Sequence, residues 1–344
     1  MAVEQERNNY GIESLEASNS DREVDIAHIS QKACELVESY LGKIIRTEIA
    51  TGGLVSHVYK VTGEKQKGIV KIRGTHLAKL PQIPINPKDV DYEWSALQFL
   101  SQIEPSTFPQ PLALDREASM ILMTDIIPSG KTLEQRFEAR DVKPEEIKDL
   151  GSTIARIHKK LAPSKESMRD GQDEQAYSSD LRRRLGCQEN QESPALDKII
   201  DRLADLPKQP ILGDLAPKNI GWGRDGQITI CDLESFYQGD LLFAYGYTAG
   251  HILLHTLDDA AISEDFVSNL LRGYQSEDNQ TNFDNLLLKQ IALGSTLYRL
   301  NNTIVPYSLS LSQEEKLKKA TVAFELLEKE SLSWHDLINS MISA

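Results

Sequence analysis

At 344 residues the chain exceeds the length at which one hydrophobic core usually stops growing, so two packed lobes are expected. With 40% hydrophobic and 26% charged residues it has the composition of an ordinary globular protein, neither disordered throughout nor embedded in a bilayer. Its net charge of -14, from 52 acidic against 38 basic residues, excludes a surface built to neutralise a phosphate backbone, so nucleic acid is not an expected partner.

No apolar run is long enough to span a membrane, and the polar start MAVEQERNNY lacks the hydrophobic stretch of a signal peptide. The expectation is no membrane partner and a cytoplasmic location. Cys34, Cys187 and Cys231 are odd in number, widely separated and without metal-ligand spacing, which reads as reduced thiols rather than a disulfide frame or a zinc site.

In chain order, residues 1–25 are polar, show no apolar period and read as a mobile tail. From Ile29, the apolar positions Ala33, Leu36, Val37 and Tyr40 recur at helical spacing. Residues 44–50, 57–61 and 68–72 read as strands separated by Gly52-Gly53 and Gly63-Glu64. A proline-rich segment, 80–87, leads into a helix over 89–103 and a strand over 118–123, which completes a small N-terminal lobe, 26–125. Beyond it, helical patterns over 144–161, 194–206, 243–257, 264–274, 283–299 and 313–327 predict a larger, mainly α lobe, 126–344. The polar stretch 163–180 reads as a loop or insertion, and no internal repeat is present.

The richest stretch runs from Ile211 to Asp232. Residues 220–222 and 227–231 are short apolar-containing runs, and Asp225-Gly226 between them reads as a two-residue hairpin turn. That turn would set Asn219 opposite Asp232 with Cβ atoms about 4.5–5.5 Å apart. A carboxylate and an amide oxygen so placed can share one magnesium ion. Asp214 precedes Asn219 by five residues, the spacing between base and metal-binding asparagine in the catalytic loop of phosphoryl-transfer enzymes. Singly, each residue has an ordinary alternative: Asp214 capping a turn, Asn219 bonding local backbone, Asp232 capping a strand end.

The run Gly213-Asp214-Leu215-Ala216-Pro217-Lys218-Asn219, followed by Asp232-Leu233-Glu234 and Gly239-Asp240, resembles the aminoglycoside phosphotransferase and choline kinase superfamily. The resemblance extends in order over about residues 45–300 and is strongest around this run. It implies an α+β, two-lobed protein-kinase-like fold, with an antiparallel sheet in the small lobe, ATP and Mg2+ as cofactors and a small-molecule acceptor. In it Asp214 would be the catalytic base, and Asn219 and Asp232 would hold the metal.

The N-terminal lobe fits the same reading. Thr51-Gly52-Gly53-Leu54-Val55-Ser56 lies between two strands, where backbone without side chains can approach phosphates, so Gly52, Gly53 and Ser56 are candidate nucleotide contacts. Strand alternation places Lys71 on the face of Ile69, opposite Val70 and Ile72. Glu93 sits at the edge of a stripe formed by Val90, Trp94, Leu97 and Leu100. A lysine partner would offset the cost of burying that carboxylate, and such a pair positions ATP phosphates in kinase-like folds. Residues 121–126 resemble the hinge between lobes, with Thr124, Asp125 and Ile126 offering backbone to adenine; the alternative is a plain edge strand.

Between Asp232 and Asp240 there is no room for the activation segment of a protein kinase, and Leu-Glu follows Asp232 instead of Phe-Gly, so the expected acceptor is small. Asp258, Asp259, Glu264 and Asp265 either draw a cationic acceptor such as an amino sugar or amino alcohol, or form a solvated acidic helix end. Two positions depart from the family pattern: Leu212 stands where a histidine is usual, and Ala244 where an aspartate is usual. If these two polar groups support the loop together, their joint replacement by apolar residues is nearly neutral. An active kinase is therefore expected, the alternative being a nucleotide-binding pseudokinase with a regulatory or scaffold role.

Overall fold

The computed structural model describes residues 31–50, 53–127, 129–164, 173–186, 193–277, 284–301, 309 and 311–344. The predicted tail 1–25, Gly52 and Cys187 lie outside the described residues. Helix α1 (Gln31–Leu41) precedes strands β1 (Ile44–Ile49), β2 (His57–Gly63) and β3 (Lys67–Ile72); α2 (Val90–Ile103) follows, then β4 (Pro111–Asp115) and β5 (Met120–Thr124). The five strands form one antiparallel sheet in the order β1-β2-β3-β5-β4.

Alternation divides the apolar side chains of that sheet between two layers. Val61, Val70, Met120 and Leu122 join Ala33, Val37 and Leu41 of α1 in a small separate core. Ile69, Ile121 and Met123 fall on the other face and pack with Val90, Ala96, Leu97 and Leu100 of α2 in the main core. Lys71 pairs in register with Ile121, so it shares the α2 side as its position next to Val70 requires. Each fully buried Val or Leu contributes about 1.5–3 kcal/mol relative to exposure, which makes this two-sided arrangement hard to slip by one residue.

The remainder is mostly helical. It comprises α3 (Leu133–Glu138), α4 (Pro144–Leu161), α5 (Asp173–Arg184), α6 (Pro194–Ala204), β6 (Gln209–Leu212), β7 (Ile220–Trp222), β8 (Ile228–Ile230), β9 (Phe236–Gly239) and helices α7 (Leu241–His255), α8 (Ala260–Glu277), α9 (Asn285–Asn301), α10 (Gln313–Leu327) and α11 (Trp334–Ser343). Helix α7 is buried on all sides from Leu242 to Leu254, as expected for an apolar helix without a polar face. Gly151 of α4 and Gly273 of α8 bring those helices into backbone contact, since a Cβ on Gly151 would lie 2.2 Å from the Leu270 carbonyl oxygen.

The expected helices over 144–161 and 313–327 form with those bounds, while the reading of 163–180 as a loop is corrected over 173–180 by α5, residues 165–172 lying outside the described residues. That helix has few apolar residues and buries Tyr177 and Leu181 together with the polar Asp173 and Arg184, so its hydrophobic period is weak. Strands β6 and β9 were also not foreseen, because four-residue strands paired across an intervening hairpin leave no local period.

His158 of α4 joins this helix to β6 by accepting the backbone N–H of Leu212 on Nε2 at 3.2 Å. Burial pushes its pKa from 6.5 down to about 3, so the folded protein keeps the ring neutral. The unfolded chain binds more protons below pH 6.5, and stability present above that pH is therefore lost as pH falls towards 3. This one group should contribute a slope of up to about 1.4 kcal/mol per pH unit in that window. Urea unfolding midpoints between neutral pH and pH 5 should fall more steeply in the native protein than in His158→Gln. Equal slopes would show that the buried ring does not contribute.

Candidate active site

The catalytic-loop run begins where β6 ends. Gly213 is required by sterics: its N–H bonds the Ser235 carbonyl at 2.7 Å, and an added Cβ would meet the Tyr237 hydroxyl at 2.1 Å. Asp214 follows, and Pro217 then starts a one-turn 3-10 segment, Pro217–Asn219, closed by the Asn219 N–H on the Ala216 carbonyl at 2.9 Å. The Asn219 amide nitrogen donates to the Asp214 carbonyl at 3.1 Å, which leaves the amide oxygen as the atom for a cation.

The hairpin differs from expectation by one residue. Strands β7 and β8 pair Ile220 with Ile230, Gly221 with Thr229 and Trp222 with Ile228. The Gly223 N–H bonds Gln227 O at 2.9 Å, Gly226 N–H bonds Gly223 O at 3.2 Å, and Gly226 has φ of 76°. This is a three-residue loop with a left-handed glycine, not the two-residue turn predicted from Asp225-Gly226. Asn219 therefore opposes Cys231, whose N–H it accepts at 2.9 Å, and Asp232 lies one residue further on.

Asp232 is brought to the site by its own backbone, which is left-handed at φ 63° and ψ 68°. Aspartate tolerates that region better than most residues, yet the conformation still costs about 1–3 kcal/mol and persists only where surrounding contacts enforce it. Here the enforcing contacts are ionic. Asp232 Oδ1 lies 2.7 Å from Lys71 Nζ, and Oδ2 lies 3.9 Å from Lys218 Nζ. Burial alone would raise the Asp232 carboxyl, but Lys71 and Lys218 hold it below the ordinary range.

Lys71 is shared between Asp232 and Glu93, whose Oε1 is also 2.7 Å away. The sequence-predicted Lys71–Glu93 pair is thus formed, with Glu93 only 4% exposed and deeper than the helix-edge position expected. Burial opposes the Lys71 charge, but Asp232, Glu93 and Glu234 together hold the ammonium above its ordinary range. A parallel tie joins Arg73 to Glu234 Oε2 at 3.0 Å and to Asp89 Oδ2 at 3.4 Å.

Behind Asp214 lies a network absent from the sequence expectations. Arg184 NH1 is 2.8 Å from both Asp214 Oδ1 and the Tyr247 hydroxyl, NH2 donates to Ser235 Oγ at 2.9 Å, and Nε reaches Asp180 Oδ2 at 3.3 Å. Tyr247 donates to Asp214 Oδ1 at 3.1 Å and accepts from Arg299 at 3.3 Å. Burial would raise the Asp214 carboxyl, but Arg184, with Lys218, holds it well below the usual carboxylate range. Leu212 and Ala244, the two departures from the family pattern, are both buried in the main core. Support for Asp214 comes instead from the Arg184 guanidinium of α5 and the Tyr247 hydroxyl of α7. Three consecutive arginines closing α5 were the visible signal, but no spacing linked them to the loop.

On the opposite side of the cleft, a Cβ at Gly53 would lie 2.6 Å from the Ser56 carbonyl oxygen, so the loop doubles back tightly there. Ser56 is buried, and its hydroxyl has no hydrogen-bond partner among the described residues. At the end of β5, the Thr124 N–H is committed to Gln110 O at 3.0 Å, while Asp125 Oδ1 accepts the Ile127 N–H at 3.1 Å. The acidic residues near α8 are satisfied locally: Asp258 pairs with Arg140, Asp259 caps Ile262, Glu264 pairs with His335 at 2.6 Å, and Asp265 accepts from Asn269 at 2.9 Å. Among the described residues, no three His, Cys, Asp or Glu side chains gather as a metal cage. The pair Asn219 and Asp232 nonetheless fits Mg2+, which takes one or two protein oxygens and completes its shell with phosphates and water.

No curated protein matches the sequence. Among solved structures, the amicoumacin kinase hAmiN, in complex with AMP-PNP, Ca2+ and Ami, matches over 91% of this chain and 98% of its own, with 17% identity and a TM-score of 0.55. A choline/ethanolamine kinase family protein from Mesorhizobium loti matches over 92% and 98%, with 15% identity and a TM-score of 0.53. Choline kinase LicA from Streptococcus pneumoniae matches over 92% and 100%, with 17% identity and a TM-score of 0.51. These likenesses establish the two-lobed kinase-like fold. Residues 47–283 match the model of the phosphotransferase enzyme family, and the chain belongs to that family.

Proposed function

We propose that the protein is an ATP-dependent phosphotransferase that moves the γ-phosphate to a hydroxyl of a small molecule. The observation that carries this reading is the position of Lys71, held between Glu93 and Asp232 beside the loop that bears Asp214 and Asn219. In this reading, residues 26–125 bind the nucleotide and residues 126–344 carry the catalytic loop and the acceptor. Gly53 and the hydroxyl of Ser56 face the phosphates, Lys71 binds them, and the backbone of Thr124, Asp125 and Ile126 meets adenine. Because the Thr124 N–H is used within the sheet, the donors left at that edge are those of Asp125 and Ile126.

Magnesium held by Asn219 and Asp232 would supply charge neutralisation of the phosphates. Asp214 accepts a hydrogen bond from the acceptor hydroxyl and aims its oxygen at phosphorus. Paired with Arg184, its carboxylate is a weak base, so it takes the proton only as the new P–O bond forms and the hydroxyl becomes acidic. Catalysis then rests on positioning and charge stabilisation.

A small acceptor is favoured by the chain after Asp232. A 3-10 turn, Leu233–Ser235, is followed directly by β9 and by α7, capped by Asp240 accepting the Phe243 N–H at 2.9 Å. That path holds no segment on which a polypeptide substrate could lie. The amicoumacin and choline kinases of the same fold are likewise named for small molecules. Among the described residues, no helix is long and apolar enough to cross a membrane, which is consistent with the proposed cytoplasmic location.

The reading is tested by ADP formation from MgATP across a panel of amines, sugars and amino alcohols. Asp214→Asn should bind MgATP as the native protein does, with turnover reduced about 100-fold or more; turnover within a few-fold would remove Asp214 from the mechanism. MgATP binding by the native protein without any turnover would favour a pseudokinase. Asp232→Ala should raise the magnesium concentration needed for half-maximal rate, and an unchanged magnesium titration would show that Asp232 is not a ligand. Arg184→Met removes the buried guanidinium between the Asp180 and Asp214 carboxylates and leaves them hydrogen bonds from Tyr237 and Tyr247, so it should lower stability by about 3 kcal/mol in urea unfolding. An unchanged midpoint would contradict the network behind the loop.

A further inference from the structure

Phosphoryl transfer needs a cation beside the group in transit that is not already consumed by protein carboxylates. Lys71 is shared by Glu93 and Asp232, each at 2.7 Å, and Arg73 is shared by Glu234 and Asp89. Arg184 is fixed behind Asp214 by contacts to Asp180, Ser235 and Tyr247. Lys218 differs from all three. Its ionic contact with Asp232 Oδ2 is 3.9 Å long, beyond hydrogen-bond distance, and its side chain is 26% exposed.

The local backbone explains where this lysine points. Successive residues of a 3-10 turn project about 120° apart. Pro217 and Asn219 project into the protein and are buried, which leaves Lys218 the direction of the cleft and Asp232. It lies four residues after Asp214 and adjacent to Asn219 in the chain. A phosphoryl group attacked by an oxygen held at Asp214, beside the Asn219 and Asp232 that would hold Mg2+, would pass within reach of its flexible four-carbon stem.

We propose that Lys218 is a further catalytic residue, whose ammonium bonds the non-bridging oxygens of the phosphoryl group during transfer. This rests on the phosphotransferase reading above. The bond between the γ-phosphorus and the β,γ-bridging oxygen breaks, and its electron pair stays on ADP. The acceptor oxygen forms the new P–O bond, and its proton passes to Asp214. Lys218 keeps its own proton throughout and exchanges its loose contact with Asp232 for the phosphoryl oxygens, so its contribution is greatest in the transition state.

The test compares Lys218→Met and Lys218→Arg with the native full-length chain. Four quantities are measured: MgATP and MgADP dissociation constants by calorimetry, affinity for MgADP with aluminium fluoride as a mimic of the group in transit, and kcat for ADP formation. In Lys218→Met the MgATP and MgADP constants should stay within about threefold, while kcat and the aluminium fluoride affinity each fall about 100-fold. Lys218→Arg should recover about a tenth of the native kcat, since it restores the charge with different geometry. Native-like kcat and aluminium fluoride affinity in Lys218→Met would overturn the proposal. So would a loss confined to MgATP affinity, which would make Lys218 a ground-state contact only. A native protein that binds MgATP but forms no ADP would sink the phosphotransferase reading itself, a result distinct from an active native protein with an equally active Lys218→Met.

Discussion

The ammonium of Lys71 is the interaction on which the rest of the cleft depends. It comes from a central strand of the sheet, is flanked by Glu93 from α2, and reaches Asp232 at the end of the C-terminal hairpin. One charge therefore fixes a strand, a helix and a catalytic-loop neighbour relative to one another. Its desolvation is severe, but two carboxylates at 2.7 Å hold the charge in place. Removing one partner of such a buried pair typically costs about 3–5 kcal/mol, because the other is stranded. The same attraction explains why Asp232 tolerates a left-handed backbone: the strain places its carboxylate where Lys71 can bond it.

A second ionic centre serves the opposite face of the loop. In the family pattern a histidine and an aspartate are expected at the positions of Leu212 and Ala244, and both positions are apolar and buried here. Asp214 is instead gripped by Arg184 and Tyr247, and Gly213 is kept bare by the hydroxyl of Tyr237, which itself donates to Asp180 at 3.2 Å. The two departures are therefore accompanied by a charged scaffold, more than the simple exchange of polar for apolar residues. Such a scaffold holds Asp214 ionised and rigid, which suits a group that orients a hydroxyl better than one that must first remove its proton.

What was legible in the sequence follows the range of the signals. Strand alternation placed Lys71 on the face of Ile69 and the apolar stripe placed Glu93 at the edge of the buried face of its helix, and the resemblance to kinase-like folds joined the two into a pair 22 residues apart. The Asp214 to Asn219 spacing was likewise readable because both lie on one short loop. The hairpin register failed by one residue because Asp225-Gly226 was read as the whole turn, whereas Arg224 belongs to it and Gly226 supplies its left-handed residue. The Arg184 network could not be read at all: α5 has a weak apolar period, and its link to Asp214 spans chain segments that only the tertiary structure brings together. The acidic residues around α8 resolved into caps and local ion pairs, the ordinary fate of charge on an acidic surface.

The central claim is that this cleft transfers phosphate from MgATP to a hydroxyl. Phosphorus NMR of the native protein with MgATP and an acceptor that stimulates ADP formation tests it directly. The account predicts ADP resonances growing in step with a new phosphomonoester resonance, both suppressed in Asp214→Asn. Growth of orthophosphate alone with every acceptor, or no change in the ATP resonances despite MgATP binding, would contradict it.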